Sequence, residues 1–320
     1  MIVLESSNPT IEQKPKYQRM KRMWKILVRD KYLLLMFLPF IVFYIVFSYI
    51  PMVGLNIAFR DFRPGGGIFG GDWVGLQWFR QFFNSIFFGR LVRNTVLLSL
   101  YELLWGFPVP ILFAICINEV RHSLTKRVVQ TVSYLPFFVS TVVMVGILHN
   151  FFNINDGIVN RVIVALGGER VNFLTSTQWF RTLFVGSGIW QGFGFASIIY
   201  IAAITGIDPT YYEAAKMDGI SKFKEVFYIT IPMISQTIII LLLLQIGGLM
   251  STGFEKVFLM QTPVTFEVSD VITTYVFRRG IGNFDFSFGA AVGFFNSVVT
   301  FIFVYTANRI SRVVTNAGLW

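Results

Sequence analysis

Residues able to do chemistry are few in this chain, and most stand inside long apolar runs. Its two histidines, His122 and His149, lie far apart, and no H-E-x-x-H pair presents a zinc site. No G-x-S-x-G turn offers a nucleophile, and the single Cys116 has no second thiol for a disulfide or a metal. The glycine-rich PGGGIFGG at 64–71 is not followed by the Lys-Ser/Thr that a phosphate cradle needs, so it reads as a turn-rich loop. NINDG at 153–157 lacks calcium-loop spacing and reads as a turn. Nothing here assembles into a catalytic constellation.

What remains is a set of polar side chains in apolar surroundings. An unpaired charge in mid-bilayer costs about 2.5–3.5 kcal/mol, so such groups need a partner or a purpose. Glu102 lies near Trp105 on a segment that also carries Tyr101. It is either a residue on a translocation path or a carboxyl bonded to a neighbouring helix. Trp190, Gln191 and Phe195 stand near the middle of a later run, with Gln191 and Phe195 four apart on one helical face and Gly188, Gly192 and Gly194 leaving room beside them. Gln245, Leu249 and Thr252 follow i, i+4, i+7, with Glu255 and Lys256 a turn beyond, and Asn296 is in the middle of the last run. Amides beside aromatic rings suit a sugar, whose ring has apolar faces and a rim of hydroxyls. The same amides also serve as bonds between helices.

The elements that must position these groups follow from composition. Of 320 residues, 54% are hydrophobic and 14% charged, against about a quarter charged in soluble domains. The expected fold is an all-α integral membrane protein with six transmembrane helices, near 32–59, 95–118, 128–152, 182–205, 231–254 and 286–308. These are continuous apolar runs and not the alternating ten-residue segments of a barrel. Pro39, Pro51, Pro108, Pro110 and Pro136 lie within them as kink points. Between spans, Ile158, Val159, Val162, Ile163 and Leu166 share one face of a short helix that Gly167 and Gly168 end, lying at the outer leaflet.

The net charge of +10 does not point to nucleic acid, because eight of the 27 Lys and Arg residues crowd into the first 31 positions. That placement sets a cytoplasmic N-terminus in contact with acidic lipid. The chain divides into a basic cytoplasmic segment, 1–31, a six-span domain, 32–308, and a cytoplasmic tail, 309–320. Counting crossings places the polar stretch 208–232, DPTYYEAAKMDGISKFKEVFYITIP, on the cytoplasmic side. Asp208 and Pro209 are suited to begin a helix, Gly219 to end it in the left-handed conformation, Ser221 to cap the next, and Pro232 to mark its far end or a change of direction.

Within that stretch, Glu213-Ala214-Ala215, three residues, Gly219, nine residues, Ile229, one residue and Ile231-Pro232 resemble the EAA loop of bacterial ABC importer permeases, Asp218 before the glycine included. Ile231 stands where that family usually has Leu. YIPMVGLNIAFRDFRP (49–64), WVGLQWF (73–79) and VSDVITTYVFRRG (268–280) resemble the polysaccharide-type branch of its carbohydrate permeases. The resemblance implies a type I importer permease in a bacterial inner membrane, half of a pore completed by a second six-span subunit, most simply as a heterodimer. It also implies two cytoplasmic ATPase subunits, which would use ATP and magnesium that this chain does not bind, and an extracytoplasmic sugar-binding protein. Glu213, Ala214, Ala215, Asp218 and Gly219 take the ATPase-coupling role from the family. Its sugar contacts lie on the flanking spans, which favours Gln191, Phe195, Gln245 and Thr252 as path residues. Pro232, Gly192 and Gly194 are places where movement between two states is absorbed. Arg278 and Arg279 either attract an acidic oligosaccharide or are simply solvated. Three rivals stand beside this reading: a secondary transporter or channel without an ATPase, which would call for paired carboxylates, a membrane enzyme, and an ABC permease for a non-sugar solute.

Overall fold

The computed structural model describes residues 25, 28–249, 253–315 and 318. Most of the basic N-terminal segment, and Thr252, therefore lie outside the described residues. Among the described residues the chain is helical, with one isolated antiparallel bridge between Arg60 and Trp73. Five helices are long and apolar enough to cross a bilayer, and a bent pair makes a sixth if it counts as one span.

Contacts divide the chain into residues 1–56 and 57–320. In the first unit α1 (Lys31–Tyr44) runs through a π turn, Ile45–Tyr49, into Ile50–Val53. The second unit begins its regular structure with α2 (Gln77–Phe83) and α3 (Phe88–Asn118). Next come α4 (Ser123–Tyr134), α5 (Thr141–Phe152), α6 (Ile158–Ala165) and the 29-residue α7 (Thr177–Thr205). The polar stretch holds α8 (Pro209–Met217) and the start of α9 (Lys222–Gly247). The remainder is α10 (Phe254–Met260), α11 (Ile272–Val276) and α12 (Phe286–Thr315).

Three helices share one local device. The π turns Ile45–Tyr49, Glu102–Gly106 and Val226–Thr230 each end two residues before a proline, Pro51, Pro108 and Pro232. A proline ring collides with the carbonyl four residues back and supplies no N–H to it. Here those carbonyls belong to Phe47, Leu104 and Tyr228, all inside the π turns. The wider turn swings them clear, so the helix passes the proline without breaking. Pro232 accordingly neither ends a helix nor turns the chain. The polar residues from Lys222 onward are continuous with the apolar span, which starts earlier than expected and ends at Gly247.

The expected third span behaves differently. Its two halves, α4 and α5, are separated by a 3-10 turn, Leu135–Phe138, and meet at 101°. Pro136 withholds an N–H in that turn. Val139 and Ser140 are extended, and the Ser140 hydroxyl accepts the Val143 N–H at 3.4 Å to start a new helix.

Helix α7 is the central pillar, touching α3, α4, α9, α10 and the turn Phe266–Ser269. Closest approach is at Gly194, where a Cβ would fall 2.0 Å from the Ser133 carbonyl oxygen of α4. Two buried clusters include residues of α7: Leu98, Val145, Phe184 and Val257 in one, and Ala114, Tyr200, Ile204 and Ile234 in the other; a further cluster, Phe82, Leu91, Ile272 and Phe288, rich in edge-to-face rings, joins α2, α3, α11 and α12. In α6 the expected apolar face is split. Ile158, Val162 and Leu166 are exposed, while Val159 and Ile163 pack on the first cluster. The buried anchor is Asn160, whose amide bonds the carbonyls of Asn153 and Val171 and accepts the Val171 N–H. A polar residue pins this helix because the irregular segments on either side of it leave backbone groups to satisfy.

Candidate functional site: a groove along the central helix and a loop at one end

A cavity of about 380 Å³ lies where α3, α7 and α9 meet. Glu102, Gly188, Gly192, Tyr200 and Gln245 line it, so the structure joins two of the residues singled out from sequence, Glu102 and Gln245, along one face of α7. Glu102 is the first residue of the π turn before Pro108, and the extra residue in that turn aims its carboxyl at α7. The glycines of α7 leave the space. No Cβ contact within 4 Å would arise at Gly192.

One member of this site was not singled out from sequence. Lys256 of α10 is 8% exposed, and its ammonium donates to the Phe184 carbonyl at 2.6 Å while lying 4.7 Å from the Phe184 ring centroid. A Cβ on Gly188 would stand 2.9 Å from Lys256 Nζ and 3.7 Å from Glu102 Oε1. The carboxylate and the ammonium therefore converge on a position that only glycine vacates. Sequence places Lys256 only beside Glu255, a turn beyond the expected path residues, and it is the packing of α10 against α7 that buries it.

Other expected path residues are placed elsewhere. Gln191 donates from Nε2 to the Val139 carbonyl at 2.8 Å, and Phe195 stacks on Phe137 at 3.9 Å with planes 5° apart. Both fasten α7 to the break between α4 and α5. Trp190 faces a separate, mostly apolar cavity of about 470 Å³, with Met144, Phe151 and Trp179. Asn296 is half-buried on α12 and is not among the residues lining the central cavity. At the other end of the bundle from the 208–232 loop, Arg278 binds the fully buried Asp270 at 2.7 Å, beside Arg90 at 3.3 Å, and Arg279 binds Asp285 at 3.1 Å. Both guanidiniums are thus held by carboxylates of the chain itself.

The 208–232 loop is built as its residue types dictate. The Asp208 carboxylate accepts the Thr210 N–H at 2.9 Å, which holds its pKa below the usual aspartate value and favours the charged cap. Pro209 takes the first helical position. Helix α8 ends in a Schellman turn: the Ile220 N–H bonds the Ala215 carbonyl, the Gly219 N–H bonds that of Lys216, and Gly219 has φ +69°. Glu213, Ala214, Asp218 and Gly219 are exposed together, whereas Ala215 is 4% exposed and faces the chain's own core. Around them Met217, Phe223 and Tyr228 are 88%, 73% and 75% exposed, an apolar surface at the loop's tip. Lys222 binds Glu119 at 3.2 Å and the buried Glu225 at 3.0 Å, so the loop after α3 and the loop before α9 lie at the same end. Tyr212 and Thr230 bond at 3.2 Å, tying α8 to the π turn of α9.

Among the described residues no group of three or more His, Cys, Asp or Glu side chains could hold a metal. The arrangement suits guidance of a polar solute along a helix face and attachment of another protein at one end.

Comparison with known proteins agrees with that architecture. Residues 106–315 match the family described as binding-protein-dependent transport system inner membrane component. The chain is 41% identical over 305 residues, 95% of each chain, to the polygalacturonan/rhamnogalacturonan transport system permease protein YteP of Bacillus subtilis (strain 168). It is also 41% identical to protein LplB of the same organism, over 92% of each chain. Its fold is similar to a chain in the crystal structure of a bacterial alginate ABC transporter in complex with an alginate pentasaccharide-bound periplasmic protein, with TM-score 0.87 and 40% identity over 93% of this chain and 100% of that one. Five long apolar helices with a bent pair beside them, the loop at 208–232 and the family match over most of its length carry one conclusion: the chain belongs to the binding-protein-dependent transport system inner membrane components, the permease subunits of ABC importers.

Proposed function

We infer that this permease moves an acidic oligosaccharide, of the uronate-rich kind named for its relatives, as one half of a pore in a bacterial inner membrane. A second six-span subunit completes the pore, two ATPase subunits bind at the 208–232 end, and an extracytoplasmic binding protein delivers the sugar. ATP and magnesium are used on the ATPase chains. The N- and C-termini are then cytoplasmic, a placement supported by the basic N-terminal segment for the first and by counting crossings for the second.

The observation that carries the reading is the central cavity, where Glu102, Gln245 and Tyr200 offer hydroxyl-binding groups beside small residues of α7. Energy enters at the other end. The exposed face of Glu213, Ala214, Asp218 and Gly219, with the apolar tip beside it, supports docking of an ATPase. The continuous helix from Lys222 passes any displacement of that loop into α9, whose Gln245 borders the cavity. ATP-driven closure of the ATPases shifts the balance between two states of the pore, and the π turn before Pro232 absorbs strain.

The complete complex reconstituted in liposomes tests this. Binding protein loaded with a galacturonate or other uronate oligomer is expected to stimulate ATP hydrolysis and drive uptake. If no sugar-loaded binding protein from a panel of acidic and neutral oligosaccharides gives stimulation, the carbohydrate assignment fails.

A further inference from the structure

A second groove, of about 570 Å³, opens on the same face of α7 nearer its N-terminal end. It shares Val185 and Ile189 with the central cavity, so the two form one track along the helix. Its walls differ in chemistry. Arg181 and Gln178 stand on one side, and Tyr101 and Trp105 on the other, with Trp105 65% exposed.

Arg181 is the informative member. Its Nε is buried and, among the described residues, has no hydrogen-bond partner, while one terminal nitrogen reaches the Asn94 side-chain oxygen only at 3.5 Å. The nearby carboxylate, Asp270, is already committed to Arg90, Arg278 and the Thr274 hydroxyl. Arg93 bonds a backbone carbonyl, that of Glu267. This end of the bundle therefore carries guanidinium charge in excess of its buried carboxylate, and among the described residues the Arg181 Nε–H is a donor without an acceptor. A buried donor of this kind is costly unless a ligand completes it.

We propose that Arg181, Gln178, Tyr101 and Trp105 form an entry subsite for one uronate unit of the transported chain, upstream of the central cavity. The carboxylate accepts from the Arg181 guanidinium, the aromatic rings cover an apolar face of the sugar, and the Gln178 amide meets hydroxyls. The subsite discriminates acidic from neutral saccharides before they reach Glu102, whose charge would repel a carboxylate left unpaired. It rests on the saccharide reading given above.

Direct binding to the detergent-solubilised permease–ATPase complex, without binding protein, tests the subsite with two probes: a galacturonan pentamer and its carboxyl-reduced neutral counterpart. Arg181→Gln is expected to weaken the acidic pentamer about tenfold or more, as loss of a charge-assisted bond does, and to leave the neutral one unchanged. Arg181→Lys retains most of the acidic binding, and Trp105→Ala weakens both probes. Unchanged acidic binding in Arg181→Gln overturns the subsite, and so does an equal loss for both probes, which marks Arg181 as structural. Proteoliposome uptake separates the two levels. A wild-type complex supplied with its binding protein that takes up no acidic or neutral oligosaccharide of the panel overturns the saccharide reading itself, whereas wild-type uptake of the acidic pentamer matched by Arg181→Gln overturns the subsite alone.

Discussion

Lys256 lays its ammonium across Gly188, so that a Cβ at position 188 would stand 2.9 Å from Nζ. Glu102 approaches the same point from α3, at 3.7 Å. A buried ammonium and a half-buried carboxyl from helices far apart in sequence thus share one glycine at the edge of the central cavity.

Each charge depends on the other, because a lone buried charge loses its solvation without compensation. Lys256→Met is expected to lower stability by about 1–3 kcal/mol by leaving the Glu102 carboxylate in apolar surroundings. Adding Glu102→Gln should recover most of that loss, since no charge is then left alone. Thermal unfolding of the purified complex in detergent reads this out, and strict additivity of the two substitutions would argue against the coupling.

Gly194 and Gly192 sit on the same helix two residues apart and should respond in opposite ways. Gly194→Ala drives a methyl into the Ser133 backbone oxygen, which cannot rotate away, and should cost about 1–3 kcal/mol. Gly192→Ala meets nothing within 4 Å and should change stability by less than about 0.5 kcal/mol. Gly192→Leu fills the cavity it lines and should slow uptake in a complex of unchanged thermal stability. Equal destabilisation by the two alanines would contradict the close crossing of α7 and α4.

The Schellman turn at Gly219 sets the angle between α8 and α9. Its φ of +69° is closed to proline, whose ring holds φ near −65°, and costs other L-residues about 1–2 kcal/mol. Gly219→Pro is therefore expected to leave a membrane-inserted protein that no longer retains the ATPase on purification, with Gly219→Ala intermediate. Normal co-purification and transport by the proline variant would remove the docking role from this loop.

Much of this protein is determined by local sequence. Apolar runs of about twenty residues have few ways to satisfy their backbone in a bilayer, so helices were legible from composition and length alone. The ends of α8 were legible too, because an Asp-Pro start and a left-handed glycine act through bonds to residues two to five positions away. Prolines were legible as disturbances but not in their outcome. At Pro108 and Pro232 a π turn carries the helix past, whereas beside Pro136 the chain breaks by 101°. Neighbouring helices decide between those results.

The groove itself belongs to tertiary structure. Gln191 and Phe195 have the spacing of a binding face, yet α7 turns that face toward Val139 and Phe137 and presents Arg181, Gly188 and Gly192 to the grooves instead. A helix buried on several sides carries no polarity stripe to reveal its rotation, so only packing partners fix it. Lys256 shows the same limit from the other direction. Nothing in its sequence surroundings pairs Lys256 with an acid on α3, and only the packing of α10 on α7 brings it to Gly188, the point Glu102 also approaches. Sequence determined that the chain spans a membrane and carries a polar helical loop at one end, because those features rest on short-range hydrogen bonds and hydrophobicity. The faces that meet, and hence the path for a solute, depend on contacts between residues 52 and 72 positions apart, such as Gln191 with Val139 and Lys256 with Phe184, which no local pattern encodes.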